Sequence, residues 1–333
     1  MQKNGVYSLP PSHKRGWKFW TGIVLTILAL GWLLLSTNWQ AAISALRDAD
    51  YLLVLTAVFI NLLTIPVRAG RWWLLFPRDK PAPIRRLTSA MLIGQTVNIL
   101  SPVRLGDLLR ATLVDTHPTT FVLGTQVVQF ALDLLMMGSM AIILLFQISA
   151  PVWWQNSGQL LLLTTTVTLS TIIFLIVRRH WLIAYLHRAE KRWPKWQPAF
   201  TIGIPFLRSF DGIAQPDRMV TAVGSSILIW ILYNIGNYIL LLAVGIKPTW
   251  MMTLLLLIVL LAGAAIPSTP GRVGVYHYVA VQFLLLFNIN EARAISFAIL
   301  QHFIALILPS IIGLILAWKL SISLTAPPLR NEN

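Results

Sequence analysis

Residues 88–114 read TSAMLIGQTVNILSPVRLGDLLRATLV. Thirteen mostly apolar residues run into Ser101-Pro102-Val103-Arg104-Leu105-Gly106, and a second apolar stretch follows. Pro and Gly interrupt a helix, and Arg is costly in hydrocarbon, so the break marks a turn of the chain inside apolar sequence. The pattern recurs at Thr269-Pro270-Gly271-Arg272-Val273-Gly274, again between two apolar runs. Paired Pro/Gly breaks in the two halves of a membrane protein point to a substrate site.

The surroundings of both copies are those of a membrane protein. Apolar residues make up 56% of the 333 residues and charged ones 11%, against about 25% charged in soluble domains. Apolar segments fall at 20–36, 51–76, 88–100, 104–114, 121–148, 159–177, 219–243, 250–266, 275–287 and 295–318. Several are long enough to cross a hydrocarbon core of about 30 Å. Trp residues gather near run ends (Trp17, Trp20, Trp39, Trp72, Trp73, Trp153, Trp154), as an interfacial belt requires. The absence of cysteine excludes disulfides, thiolate metal sites and Cys nucleophiles. The net charge of +15 reads as the Lys/Arg bias of cytoplasmic loops rather than as a nucleic-acid surface. The run at 20–36 lacks a cleavage pattern directly after it and reads as a first span or signal anchor.

Loop charge then decides the topology. Residues 1–18 carry four positive side chains and no acid; 77–87 and 178–218 are also basic. All three belong in the cytoplasm, whereas 37–50, with Arg47, Asp48 and Asp50, suits the outside. If 88–114 crossed the membrane once, 178–218 would end up outside. The conflict disappears if 88–114 enters and leaves by the same face. The same bookkeeping makes 250–287 a second hairpin entering from the opposite face. The expected fold is therefore all-α: a polytopic membrane helix bundle of about six full spans plus two opposed re-entrant helical hairpins, or eight spans if the hairpins cross. The expected layout is a cytoplasmic tail at 1–19, one transmembrane domain at 20–320 with an interfacial basic segment at 178–218, and a tail at 321–333. Both termini are expected in the cytoplasm, in a plasma-membrane protein.

The hairpin tips are the first candidate site. Arg104 and Arg272 would sit beside broken helix ends whose free N–H groups attract anions, and the planar guanidinium suits phosphate or carboxylate. Gly106, Gly271 and Gly274 would let backbone and ligand approach closely; Asn98 and Arg110 flank the first tip. Asp107 could balance Arg104 or pair with Arg110 three residues on. Asp133 lies mid-segment, with Gln126 and Gln129 on the same helical face, as a coupling carboxylate or as half of a structural ion pair. His277 and His302 are intramembrane imidazoles able to relay protons, without a carboxylate at metal-ligand spacing. Asn234, Asn237, Tyr238 and Gln95 read as polar glue between helices. Arg68 and Arg71 read as interfacial anchors beside Trp72 and Trp73, and Pro66 as a kink.

Three of these places together resemble the lysylphosphatidylglycerol synthase transmembrane-region family, also called the flippase-like domain family. They are Arg68…Arg71-Trp72, the run from Asn98 through Pro102, Arg104, Gly106 and Asp107 to Arg110, and Ile266-Pro267…Pro270-Gly271-Arg272-Val273-Gly274. The resemblance extends from about 20 to 320. It implies a polytopic protein that moves or handles an aminoacylated or other phosphate-bearing lipid. Two-domain members add a soluble aminoacyl-transferase domain, which is not expected in this chain. Where the family tends to have Glu-Arg ahead of its mid-membrane Asp, this chain has Gln129-Phe130 before Asp133. His277 and His302 stand at places where Glu and Arg are common, and Asp107 replaces a Glu.

The leading expectation is a flippase-like transporter of an anionic or phosphate-bearing membrane lipid, with no cofactor, no metal and no nucleic-acid partner, and a homo-oligomer left open. The alternatives are an enzyme acting on lipid phosphate or polyprenyl-linked groups, and a non-transporting subunit of a cell-envelope assembly. No catalytic motif favours the enzyme.

Overall fold

A computed structural model describes residues 39–101, 105–147, 152–265, 271 and 274–322. The first apolar run at 20–36 and the tip residues Arg104 and Arg272 lie outside the described residues. Every described element is helical: α1 (Trp39–Arg47), α2 (Tyr51–Trp73), α3 (Ile84–Leu100), α4 (Leu105–Thr112), α5 (Thr119–Gln147), α6 (Val152–Arg192), α7 (Gln197–Arg208), α8 (Pro216–Ala243), α9 (Trp250–Ala265), α10 (Val275–Leu285), α11 (Glu291–His302) and α12 (Leu308–Lys319). The chain is a multi-pass membrane protein. Five stretches are long and apolar enough to cross a membrane: α2, most of α5, Leu162–Arg192 in α6, α8, and α11 with α12. Large apolar side chains such as Leu52, Phe59, Leu163, Val177 and Ile315 face outward, where lipid rather than water suits them.

Two sets of contacts define the ends of the bundle. At one end Arg78 pairs with Asp217, Arg86 pairs with Asp115, and Arg218 donates to the carbonyls of Leu74 and Phe76. At the other, the Asp50 N–H donates to Ala243 O at 2.8 Å, and Arg293 donates to Gly245 O at 2.7 Å. The helix α8 connects the two.

The first hairpin is clear against this frame. The Arg86–Asp115 pair joins the first turn of α3 to the residues just after α4, so α4 runs back along α3. Gly94 and Gly106 let the two helices touch: a Cβ on Gly94 would lie 2.7 Å from Gly106 O and 3.0 Å from the Arg110 Cβ. Ile93, Val97 and Leu109 seal the same seam. The second hairpin, α9 and α10, opens the other way. Its base lies near Gly245 and Arg293, and its arms meet where Gly263 approaches Val279.

Two features differ from expectation. The segment 178–218 is not one element: α6 continues unbroken to Arg192, and α7 packs back on α5 and α6. Arg179 fixes that return by donating to Asp211 at 2.7 Å. The last span is not a uniform helix either. Between α11 and α12, Phe303–Ile307 forms a π turn. Pro309 has no N–H, so a carbonyl of the preceding turn loses its helical donor. Gln95 of α3 supplies one, its Nε2 donating to Ala305 O at 3.3 Å. Pro66 stands inside α2, which continues through it to Trp73.

Candidate functional site

The tip-proximal parts of both hairpins face one cavity of about 280 Å³. One wall comes from α2, whose Asn61, Thr64 and Arg68 repeat at helical spacing and so share a face. The first hairpin adds Gln95, Asn98, Asp107 and Arg110. The second contributes Leu257, Leu260, Leu261 and Tyr276, an apolar surface. Tyr233 and Asn237 of α8 and Gln301 of α11 close the remainder. The cavity is thus polar toward the first hairpin and apolar toward the second.

Its cations are held in different ways. Arg110 donates from Nη2 to Gln129 Oε1 at 3.1 Å, and its guanidinium lies 3.8 Å above the Trp72 ring. Trp72 is itself fixed by donation to Thr125 Oγ1 at 2.8 Å. The buried Nε of Arg110 has no partner among the described residues. Arg68 makes no hydrogen bond or ion pair among them at all, though it lines the cavity. Asp107 does not pair with Arg110. Its Oδ1 accepts from Asn98 Nδ2 at 2.9 Å, and its carbonyl accepts from Gln126 Nε2 at 3.1 Å.

Behind this wall stands the one strong ion pair of the bundle core among the described residues. Arg71, 3% exposed, donates to both oxygens of Asp133 at 2.6 and 3.2 Å and to Ser226 Oγ at 3.0 Å. The face of α5 carrying Gln126, Gln129 and Asp133 therefore meets Asp107, Arg110 and Arg71 in turn. Asp133 acts here as the structural partner of Arg71.

On the second hairpin, the His277 and His302 rings lie 4.7 Å apart. His302 Nε2 is 2.7 Å from Gly271 O, and a carbonyl only accepts, so Nε2 is the protonated nitrogen of this ring. Gly271 and Gly274 have φ of +80° and +91°, backbone that a side chain would strain. Among the described residues no group of three or more metal-ligand side chains forms.

Several sequence readings move. Arg68 and Arg71 are not surface anchors: one faces the cavity and the other is buried in an ion pair. Asn234 and Asn237, read as polar glue, are buried, and among the described residues both amide atoms of Asn234 and Nδ2 of Asn237 have no partner. Gly106 makes its close approach to Gly94. Asn61 and Gln301 were not singled out from the sequence, although Asn61 lies two helical turns from Arg68 on one face.

The sequence model of the lysylphosphatidylglycerol synthase transmembrane region matches residues 19–313. Among curated proteins, a glycosyltransferase named AglD from Haloferax volcanii is 33% identical over 138 residues, 39% of this chain. The match spans 21% of that relative's length. No solved structure matches.

Proposed function

This chain belongs to the lysylphosphatidylglycerol synthase transmembrane-region family, and on that premise we propose that it moves an anionic, phosphate-bearing lipid across the plasma membrane through the cavity between its two hairpins. The observation that carries the reading is Arg68, a guanidinium on the cavity wall with no hydrogen bond or ion pair among the described residues, with Arg110 beside it. Such a cation is expensive unless a counter-ion arrives, and a lipid phosphate is the anion that a membrane supplies. The cavity's size, near the lower end of the roughly 300–1,000 Å³ typical of ligand pockets, suits a headgroup whose chains remain in lipid. Arg104 and Arg272, the arginines of the two sequence motifs, would add to the hold on the phosphate. The basic end of the bundle, with Arg78, Arg86 and Arg218, would face the cytoplasm.

A headgroup-accessibility assay on protein in vesicles tests this. Arg68→Ala removes a charge-assisted bond worth about 1.5–3 kcal/mol, so transport should fall about 10- to 100-fold at limiting lipid. Arg110→Ala, Arg104→Ala and Arg272→Ala should also lower it. Unchanged lipid redistribution in Arg68→Ala would sink the reading. The name of the Haloferax relative favours one second reading, in which the cavity holds a lipid-linked sugar for a transfer reaction. Formation of a new lipid product in the same vesicles separates the two.

A further inference from the structure

The second hairpin carries two imidazoles that the headgroup reading leaves unused. His277 and His302 are 7% and 5% exposed, and their rings lie 4.7 Å apart. Their neighbours in sequence, Tyr276 and Gln301, line the cavity, and the Tyr276 ring lies 5.3 Å from that of His302. His302 Nε2 donates to Gly271 O at 2.7 Å, so the neutral ring keeps Nδ1 as its basic nitrogen. His277 Nδ1 is buried and has no partner among the described residues. Two basic rings in contact, one with a nitrogen left open, make a place for one proton. They do not make a place for two, because charges at this separation repel.

The elements around the pair bring no other group of this kind. α10 packs on α9, which has no ionisable side chain, and on α11, which has Glu291 and Arg293. On α10 itself stand Tyr276 and Tyr278. α11 packs in turn on α1, with Arg47, and on α8, with Asp217, Arg218, Tyr233 and Tyr238. The π turn after His302 meets α2, with Tyr51, Arg68 and Arg71, and α12, with Lys319. It also meets α3, with Arg85 and Arg86, through Gln95. Carboxylates ordinarily titrate near about 4 and phenols near about 10, so of all these groups only the imidazoles suit a proton exchanged at physiological pH.

Resting on the proposed transport of an anionic lipid, we propose that His277 and His302 together bind one proton with each lipid phosphate, so that proton and lipid move as a pair. With no anion bound, Arg68 and Arg110 outnumber Asp107, the one carboxylate on the cavity wall among the described residues. That excess of positive charge opposes a further cation close by. A phosphate cancels it, and the imidazoles take up their proton. By linkage a protonated pair holds the phosphate more tightly, by the same factor. His302 joins this change to the second hairpin, because it holds Gly271 O. Lipid affinity is therefore greatest at acid pH, where the pair is already protonated, and declines as pH rises through the imidazole range. A proton gradient across the membrane then drives the lipid.

The test measures binding of phosphatidylglycerol to the full chain in detergent at about pH 5.5 and about pH 8, on either side of the imidazole range. Its phosphodiester keeps one negative charge throughout, and phosphatidylcholine is the zwitterionic control. The wild-type chain should bind phosphatidylglycerol at least about fivefold tighter at the lower pH. In weak buffer with a pH indicator, it should take up as much as about one proton per lipid bound. His302→Gln keeps an N–H for Gly271 O but takes no proton; it and His277→Gln should bind equally at both pH values. His117→Gln, changed at a ring stacked on Phe121 just before α5, should keep the wild-type dependence. If the pair variants misfold by thermal melting, proton uptake by the wild type decides. Phosphatidylglycerol binding with neither pH dependence nor proton uptake overturns the proposal and leaves the phosphate site standing. So does a pH dependence that survives in both pair variants or is lost in His117→Gln. Phosphatidylglycerol bound no better than phosphatidylcholine at either pH overturns the headgroup reading itself.

Discussion

Asp133→Ala is expected to destabilise the protein by about 3 kcal/mol, the lower end of the cost of breaking a buried ion pair. The lower end applies because the Asp133 side chain keeps 44% of its exposure while Arg71 keeps 3%. The substitution removes both carboxylate acceptors from a guanidinium that, among the described residues, has only Ser226 left to bond and whose Nε has no partner there. Asp133→Asn, which keeps one acceptor oxygen, should cost less. The double replacement Arg71→Met with Asp133→Leu should recover most of the loss, because two apolar side chains leave no charge stranded. Thermal melting in detergent measures all three. A wild-type melting temperature for Asp133→Ala would mean that the pair does not hold α2 to α5.

Gly106→Ala should cost about as much, near 3 kcal/mol, at the upper end of what overpacking does. Its new Cβ collides with the Gly94 carbonyl oxygen and lies 2.7 Å from Asn98 Oδ1. Backbone cannot yield as a side chain can, so α3 and α4 must separate. Asn98 moves with them, and its bond to Asp107 is lost from the cavity wall. Gly224 is the internal control. Nothing lies within 4 Å of a Cβ built there, so Gly224→Ala should be neutral or stabilising by up to about 1 kcal/mol. Equal melting of the two alanine variants would show that the hairpin seam is not tight.

These two sites mark what the sequence could and could not tell. The break after residue 100 was legible because Pro and Gly end a helix, and α3 does stop at Leu100. The polar face of α5 was legible because Gln126, Gln129 and Asp133 sit at helical spacing. The partner of Asp133 was not legible: Arg71 is 62 residues away, and only packing of α2 on α5 brings them together. Beside two Trp residues, Arg71 carries the signature of an interfacial anchor, and the same signature hid Arg68. The Asn237 amide, whose Nδ2 has no partner among the described residues, was hidden for a related reason. Asn237 in a span looks the same whether it bonds a neighbouring helix or faces a cavity, and the difference lies in the helices around it. The division of the run past 178 between the end of α6 and α7 was not legible, because its basic residues carry no sign of where one helix stops and the next packs back.

The cavity and its proposed headgroup depend on one geometric claim: the hairpins α3–α4 and α9–α10 enter from opposite faces of the membrane. The native chain has no cysteine, so single cysteines can be placed without background. Lys80→Cys and Pro118→Cys flank the first hairpin; Lys247→Cys and Asn288→Cys flank the second, and all four positions are exposed. With a membrane-impermeant maleimide on oriented vesicles, positions 80 and 118 should label from one face, and 247 and 288 from the other. Labelling of 80 and 118 from opposite faces would mean that the first hairpin spans, and it would contradict the account.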